Sequence, residues 1–197
     1  SLPPERVIGV LNQYMSLMIE TIARHDGYID KFVGDAIMVI WNAPIDQPDH
    51  AARAVACARA MQEELAKANA EGLFGDVGPL EMGIGLNTGA LVAGNLGNER
   101  QVEFTVLGDT VNVASRACAH ASAGNVLLTV TVVDGAERSG GEKAQSLDVS
   151  SLGPVEVKGK GTLEFFALQG LPGGTESCLE KNGRDSFAPP ESKPRRA

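Results

Sequence analysis

Ile8, Leu11, Met15, Met18 and Ile22 recur at the 3.6-residue period of an amphipathic helix. Ser1 reads as its N-cap, Pro3 or Pro4 suits its first turn, and Gly27 stops it after Arg24. The pattern then changes. Residues 28–41 hold two short β-branched and aromatic runs joined at Gly34-Asp35, a hairpin signal. After a loop at 42–48, Asp49 reads as the N-cap of a second helix built on Ala52, Val55, Ala56, Ala60, Met61 and Leu65, which ends near Gly72. A turn at 76–79 leads to a strand at 80–86, with 90–94 as its hairpin partner across Asn87-Thr88-Gly89. Residues 104–116 predict a strand, a tight turn at Gly108-Asp109 and a helix. A strand at 125–130, a short helix at 131–137 and a loop at 139–143 follow, and a closing hairpin joins 147–158 to 162–168 through Gly159-Lys160-Gly161. From Pro172 onward Gly, Pro, Ser and charge dominate, as in a disordered tail or linker. The alternation predicts an α+β fold, an antiparallel sheet with helices on one face.

Composition narrows the possibilities. A chain of 197 residues that is 43% hydrophobic is long enough for one full core. Its formal charge of -8 argues against a nucleic-acid partner, whose electrostatic footprint is basic. The sequence holds no apolar run of membrane-spanning length and opens with no signal-peptide pattern. Cys57, Cys118 and Cys178 are odd in number and far apart, which suggests free thiols in a reducing compartment. His25, His50 and His120 match no ligand motif and read as surface or capping residues. Gly83, Gly85 and Gly89 do not have the G-x-G-x-x-G spacing, and no P-loop is present, so turn chemistry is the better account of them.

Two stretches carry candidate chemistry. Asn112 and Arg116 stand four residues apart and share one helix face, so an amide and a guanidinium beside a Gly turn form a cradle for a phosphate or a nucleotide ring. The plain alternative is an amphipathic helix with Val111, Ala114 and Cys118 in the core and the two polar residues solvated. In the hairpin, Lys31 lies within an apolar strand with Asp35 four residues later. An edge-strand Lys discourages aggregation; the functional reading is a carboxylate for a hard divalent cation with a Lys reading a ligand beside it.

Together these stretches resemble the catalytic domains of class III nucleotidyl cyclases, which carry a Lys-Phe-x-Gly-Asp hairpin and a Tyr/Phe-Thr-x-x-Gly-Asp-x-Val-Asn-x-Ala-x-Arg stretch. Here they stand as Lys31-Phe32-Val33-Gly34-Asp35 and as Phe104 through Arg116. Leu11-Asn12-Gln13-Tyr14, the run from Gly83 to Gly89, Gly94-Asn95-Leu96-Gly97 and Val157-Lys158-Gly159-Lys160-Gly161 agree in order and spacing. The resemblance implies a ferredoxin-like core over residues 1–170, a tail or linker over 171–197, and two divalent cations, Mg²⁺ or Mn²⁺. It also implies a homodimer with sites across the interface, one chain supplying the metal carboxylates and the other Lys31, Thr105, Asn112 and Arg116. Asp35 is then one metal ligand, Arg116 meets the α-phosphate, Asn112 orients the ribose, and Lys158 or Lys160 meets the terminal phosphates. The strand that carries the first metal Asp in this family has no counterpart in the sequence, which suggests a fragment of a longer protein.

The base-reading pair indicates adenine. Lys31 is a donor only and satisfies adenine N1, while the Thr105 hydroxyl can accept from the exocyclic amino group. Guanylate-specific relatives carry Glu and Cys at these positions. The expected function is therefore an adenylate cyclase, converting ATP to cyclic AMP and pyrophosphate as the cytoplasmic output domain of a protein with upstream sensor or regulatory domains. A guanylate cyclase, or a regulatory or dimerising domain without catalysis, are the alternatives.

Overall fold

The computed structural model describes residues 3–98, 100–139, 146–157, 159 and 161–172. Helix α1 (Pro4–Arg24) leads into the hairpin β1 (Tyr28–Val33) and β2 (Ala36–Ile40), and α2 (His50–Ala70) follows. Then come β3 (Ile84–Leu86), the hairpin β4 (Val92–Asn98) and β5 (Gln101–Leu107), α3 (Asp109–His120), β6 (Val126–Thr129), α4 (Val130–Ser139) and the hairpin β7 (Val149–Val157) and β8 (Gly161–Leu168). Among the described residues the strands form three sheets: β1-β2, β3-β6-β8-β7 and β4-β5. The α+β class is as expected.

Three apolar clusters hold these parts together. Val10, Met18 and Ile22 of α1 meet Cys57, Met61 and Leu65 of α2, and Ile29, Ile37 and Val39 of the first hairpin pack against them. Ala51, Val55 and Ala58 of α2 and Val132 and Ala136 of α4 lie on Val126 and Leu128 of β6. Leu127, between those two, points the other way, to Ala117 of α3 and to Phe165 and Ala167 of β8. All four β6 residues are buried, so helices cover both faces of this strand rather than one. A strand buried on both faces reads as an unbroken apolar run, and Val126-Leu127-Leu128 is one.

Several local expectations change. The segment 80–86 forms a strand only at its end, and β3 pairs in parallel with β6 instead of making a hairpin with 90–94. The hairpin in this region is β4-β5, which pairs Val92 with Leu107 and Asn98 with Gln101. Its turn is fixed by the Asn98 side chain, whose Oδ1 accepts from the backbone N–H of Arg100 at 3.0 Å and of Gln101 at 3.2 Å. Asp49 does sit at the α2 N-cap, but it makes no side-chain cap bond; its carboxylate accepts from Arg53 Nε at 2.7 Å instead. Pro3 holds the α1 N-cap position. Ser1, most of the 139–143 loop, Lys158, Lys160, Cys178 and the segment from 173 lie outside the described residues.

Cys57 provides a test of the α1–α2 core. It is fully buried, and burial pushes its thiol from 9.0 up to about 12. A group raised in the folded state stabilises fully below its unfolded value and loses that contribution as pH climbs toward the folded one. Unfolding free energy is expected to fall by about 1 kcal/mol between pH 8 and pH 10. Cys118 is shifted the same way, so Cys57→Ala should reduce the fall without abolishing it. Urea titrations at the two pH values check this, and an undiminished fall in Cys57→Ala would refute it.

Candidate active site

A cleft of about 2330 Å³ runs through the centre of the chain, bordered by β2, by β3 with the residues after it, and by α3. Among the described residues β2 pairs only with β1, and β3 only with β6, so each turns an unpaired edge. Both strands border this cleft. The arrangement around it follows from local chemistry. Gly34 has φ 65°, which a left-handed turn position requires, and it allows the two-residue connection of Val33 to Ala36. That turn presents Asp35 at the cleft.

On the opposite wall, α3 begins at Gly108-Asp109 as the sequence predicts. Its N-terminus is tied down twice: Thr110 Oγ1 donates to Ala90 O at 2.7 Å, and Asn87 Nδ2 donates to Thr110 O at 2.9 Å. Thr129 Oγ1 donates to Asn87 Oδ1 at 2.8 Å, which joins the helix to β6. Asn87 is thus a positioning residue that motif reading quoted without a role. Farther along, Ala117 rather than Val111, Ala114 or Cys118 is the buried core residue of α3; the other three line the cleft, and so does Arg116.

The predicted site residues fall into two groups. Asp35 and Arg116 border the cleft. Asn112, one turn before Arg116 and therefore on the same helix face, is exposed and is not part of the cleft wall. Lys31 and Thr105 come together elsewhere, where β1 and β5 meet beneath an edge-to-face contact of Tyr28 and Phe104 at 5.7 Å. Between them lies Asp30. Its Oδ2 is 3.4 Å from Lys31 Nζ and accepts from Thr105 Oγ1 at 3.2 Å. Lys158 and Lys160 are outside the described residues.

Motif reading missed Asp30 and quoted Tyr14 without a role. Asp30 directly precedes Lys31 in an apolar strand, and a second charge there was the available signal. Tyr14 lines the cleft, donates to Met82 Sδ at 3.4 Å and is held at about 12, first by burial and then by the Asp35 carboxylate and Cys118. Asp35 is therefore electrostatically close to Tyr14.

Among the described residues there is no cluster of three or more His, Cys, Asp or Glu that could hold a metal ion. Asp35 does fit the way Mg²⁺ is commonly held, by one or two carboxylates together with substrate phosphates and water. No helix among the described residues is long and apolar enough to cross a membrane.

Residues 1–170 match the Adenylate and Guanylate cyclase catalytic domain family. Adenylate cyclase 1 of Rhizobium meliloti is 39% identical over 113 residues, which are 57% of this chain and 17% of that protein. The chain thus spans under a fifth of that relative's length. Among solved structures, the guanylyl cyclase Cya2 superposes with a TM-score of 0.78 at 34% identity, covering 89% of this chain and 86% of that one. The adenylyl cyclase CyaB from P. aeruginosa superposes with a TM-score of 0.77 at 28% identity, covering 85% and 84%. With its core, its Gly34-Asp35 hairpin and its Gly108-capped helix all in the expected places, the chain belongs to the class III adenylate and guanylate cyclase catalytic domain family.

Proposed function

We propose that residues 1–170 are the cyclising unit of an adenylate cyclase, which converts ATP to 3′,5′-cyclic AMP and pyrophosphate. The observation that carries the choice of base is the meeting of Lys31 with Thr105 across β1 and β5. A donor and a hydroxyl side by side match adenine N1 and its amino group. In the reaction the ribose 3′-oxygen bonds to the α-phosphorus as the bond from that phosphorus to the pyrophosphate oxygen breaks. The hydroxyl proton leaves to a phosphate oxygen or to water. Positioning and charge neutralisation suffice for this, with no covalent protein intermediate.

Arg116 places its guanidinium at the α-phosphate, where charge accumulates, and Asn112 orients the ribose. Lys158 and Lys160 meet the terminal phosphates. Divalent cations, Mg²⁺ or Mn²⁺, supply neutralisation of the triphosphate and activation of the 3′-hydroxyl when bound, and Asp35 is one of their ligands. The other carboxylate comes from a strand seated between the open edges of β2 and β3. The working form is a homodimer in which the Lys31 and Thr105 of one chain face the Asp35 cleft of its partner. That arrangement accommodates their placement outside the cleft of their own chain. The exposed Asn112 fits the same interface. We place the unit in the cytoplasm, where ATP and reduced thiols coexist, with residues 171–197 as a tail or linker and the controlling domains elsewhere in the parent protein.

The higher identity to a guanylyl cyclase, 34% against 28% for the adenylyl cyclase, favours GTP as the second reading. One assay separates the readings. The protein as its gene encodes it, with whatever precedes Ser1, is supplied with Mn²⁺ or Mg²⁺ and with ATP or GTP separately, and cyclic products are quantified. Cyclic AMP in clear excess is expected. Cyclic GMP in excess would transfer the assignment to guanylate. Nucleotide binding with no cyclic product would leave a regulatory or dimerising domain.

A further inference from the structure

Neighbouring residues of a regular strand project from opposite faces, but the pairing of β1 with β2 skips Asp30. Ile29 faces Val39, and Lys31 faces Met38. Two residues of β1 thus oppose one of β2, a bulge, and bulges re-aim side chains. The result is a carboxylate with no exposed side-chain surface, held between the Lys31 ammonium and the Thr105 hydroxyl by one oxygen. Its other oxygen, Oδ1, is buried with no hydrogen-bond partner. An apolar side chain at this place would avoid that cost, so packing does not explain an Asp here.

Resting on the reading of Lys31 and Thr105 as the base-recognition pair, we propose that Asp30 is a positioning residue that sets base specificity through Thr105. A hydroxyl has one proton and two acceptor sites. Asp30, an acceptor only, takes the proton, so Thr105 presents lone pairs alone to whatever base lies against it. It then accepts from a 6-amino purine and opposes a 6-oxo purine, acceptor against acceptor. Without Asp30 the hydroxyl rotates freely and donates to a 6-oxo group as readily as it accepts from an amino group. Discrimination arises because a polar group facing the wrong base is left unpaired.

The test is equilibrium binding by the full-length protein, with Mg²⁺, of 3′-deoxyadenosine triphosphate and 3′-deoxyinosine triphosphate. Neither can cyclise, and they differ only in the 6-substituent and the N1 proton it entails. The wild type is expected to prefer the adenine nucleotide. Asp30→Leu should cut that preference about tenfold, mainly by tightening the inosine nucleotide. Asp30→Asn should keep it, because Lys31 and Thr105 as donors hold the amide oxygen toward them. In a Thr105→Val background, Asp30→Leu should no longer move the ratio.

Equal weakening of both nucleotides by Asp30→Leu, or a ratio change that persists with Thr105→Val, would reduce Asp30 to a structural role and overturn the proposal. If circular dichroism shows Asp30→Leu unfolded, the decision passes to the other two variants. Preference kept by Asp30→Asn and lost about tenfold by Thr105→Val supports the proposal, and preference lost by Asp30→Asn overturns it. A wild type that binds neither nucleotide removes the base-recognition reading and this inference together. A wild type that prefers adenine with a ratio indifferent to Asp30 removes this inference alone.

Discussion

Arg116→Ala in the protein as its gene encodes it is expected to lower cyclic-nucleotide turnover by about 10² to 10³-fold, the usual effect of removing one donor aimed at developing charge. The side chain is half-buried on the cleft wall and belongs to a helix anchored at its first turn by Ala90 and Asn87. Little flexibility is left to bring a substitute into place. Charge on the transferring phosphorus grows on the way to the transition state, so the loss should appear in kcat and in kcat/KM to similar degrees, with a small change in KM. Arg116→Lys should recover only part of the rate, because an ammonium lacks the planar fork that meets two phosphate oxygens together. Asp35→Ala should be at least as damaging. Tyr14→Phe serves as the contrast. Its hydroxyl, raised to about 12, stays protonated through the assayable range, so its loss should not alter the shape of the pH–rate profile. A purely raised KM in Arg116→Ala, at unchanged kcat, would show that Arg116 only binds substrate and would sink this assignment.

Much of the site was legible because its elements are local. The Gly34-Asp35 hairpin and the Gly108-capped helix are each specified by a few adjacent residues, through left-handed turn geometry and a change of hydrophobic period. What failed was pairing between distant segments. Residues 80–94 look like a hairpin because two alternating runs flank a Gly turn. The outcome is decided instead by Gly85, which admits α3, and by Leu127 and Leu128, which offer β3 a parallel partner. Sheet coverage failed for a related reason: only the placement of Ala117 against Leu127 shows that α3 lies across from α2 and α4. Asp30 was invisible because its burial depends on a bulge, and a bulge has no signature in a six-residue strand. Motif reading found Lys31 and Thr105 and missed the Asp30 carboxylate between them.

The largest effect on folding is expected from Gly85→Ala. A Cβ there would lie 2.6 Å from the Ala117 carbonyl carbon and 2.7 Å from Ala114 O, and would also strike the Cys118 backbone nitrogen. All three are backbone atoms of α3, so no side chain can rotate away, and the helix itself must move. Gly27 provides the comparison, because there an added Cβ would meet only the side-chain atoms of Ile22, Val39 and Trp41, each at 2.8 Å, which can give. Overpacking typically costs about 1 to 3 kcal/mol and more where the obstacle is rigid. Gly85→Ala should therefore lower the unfolding free energy from urea titration by at least the upper part of that range, with Gly27→Ala below it. Gly94→Ala, which meets nothing within 4 Å, should stay within about 0.5 kcal/mol. Because α3 carries Asn112 and Arg116, the Gly85 variant should also lose activity beyond its unfolded fraction; a shift of about 1 Å in a positioning group can cost about 10²-fold. Wild-type stability with wild-type turnover in Gly85→Ala would mean that α3 is not seated on β3 as described, and the placement of Arg116 would fall with it.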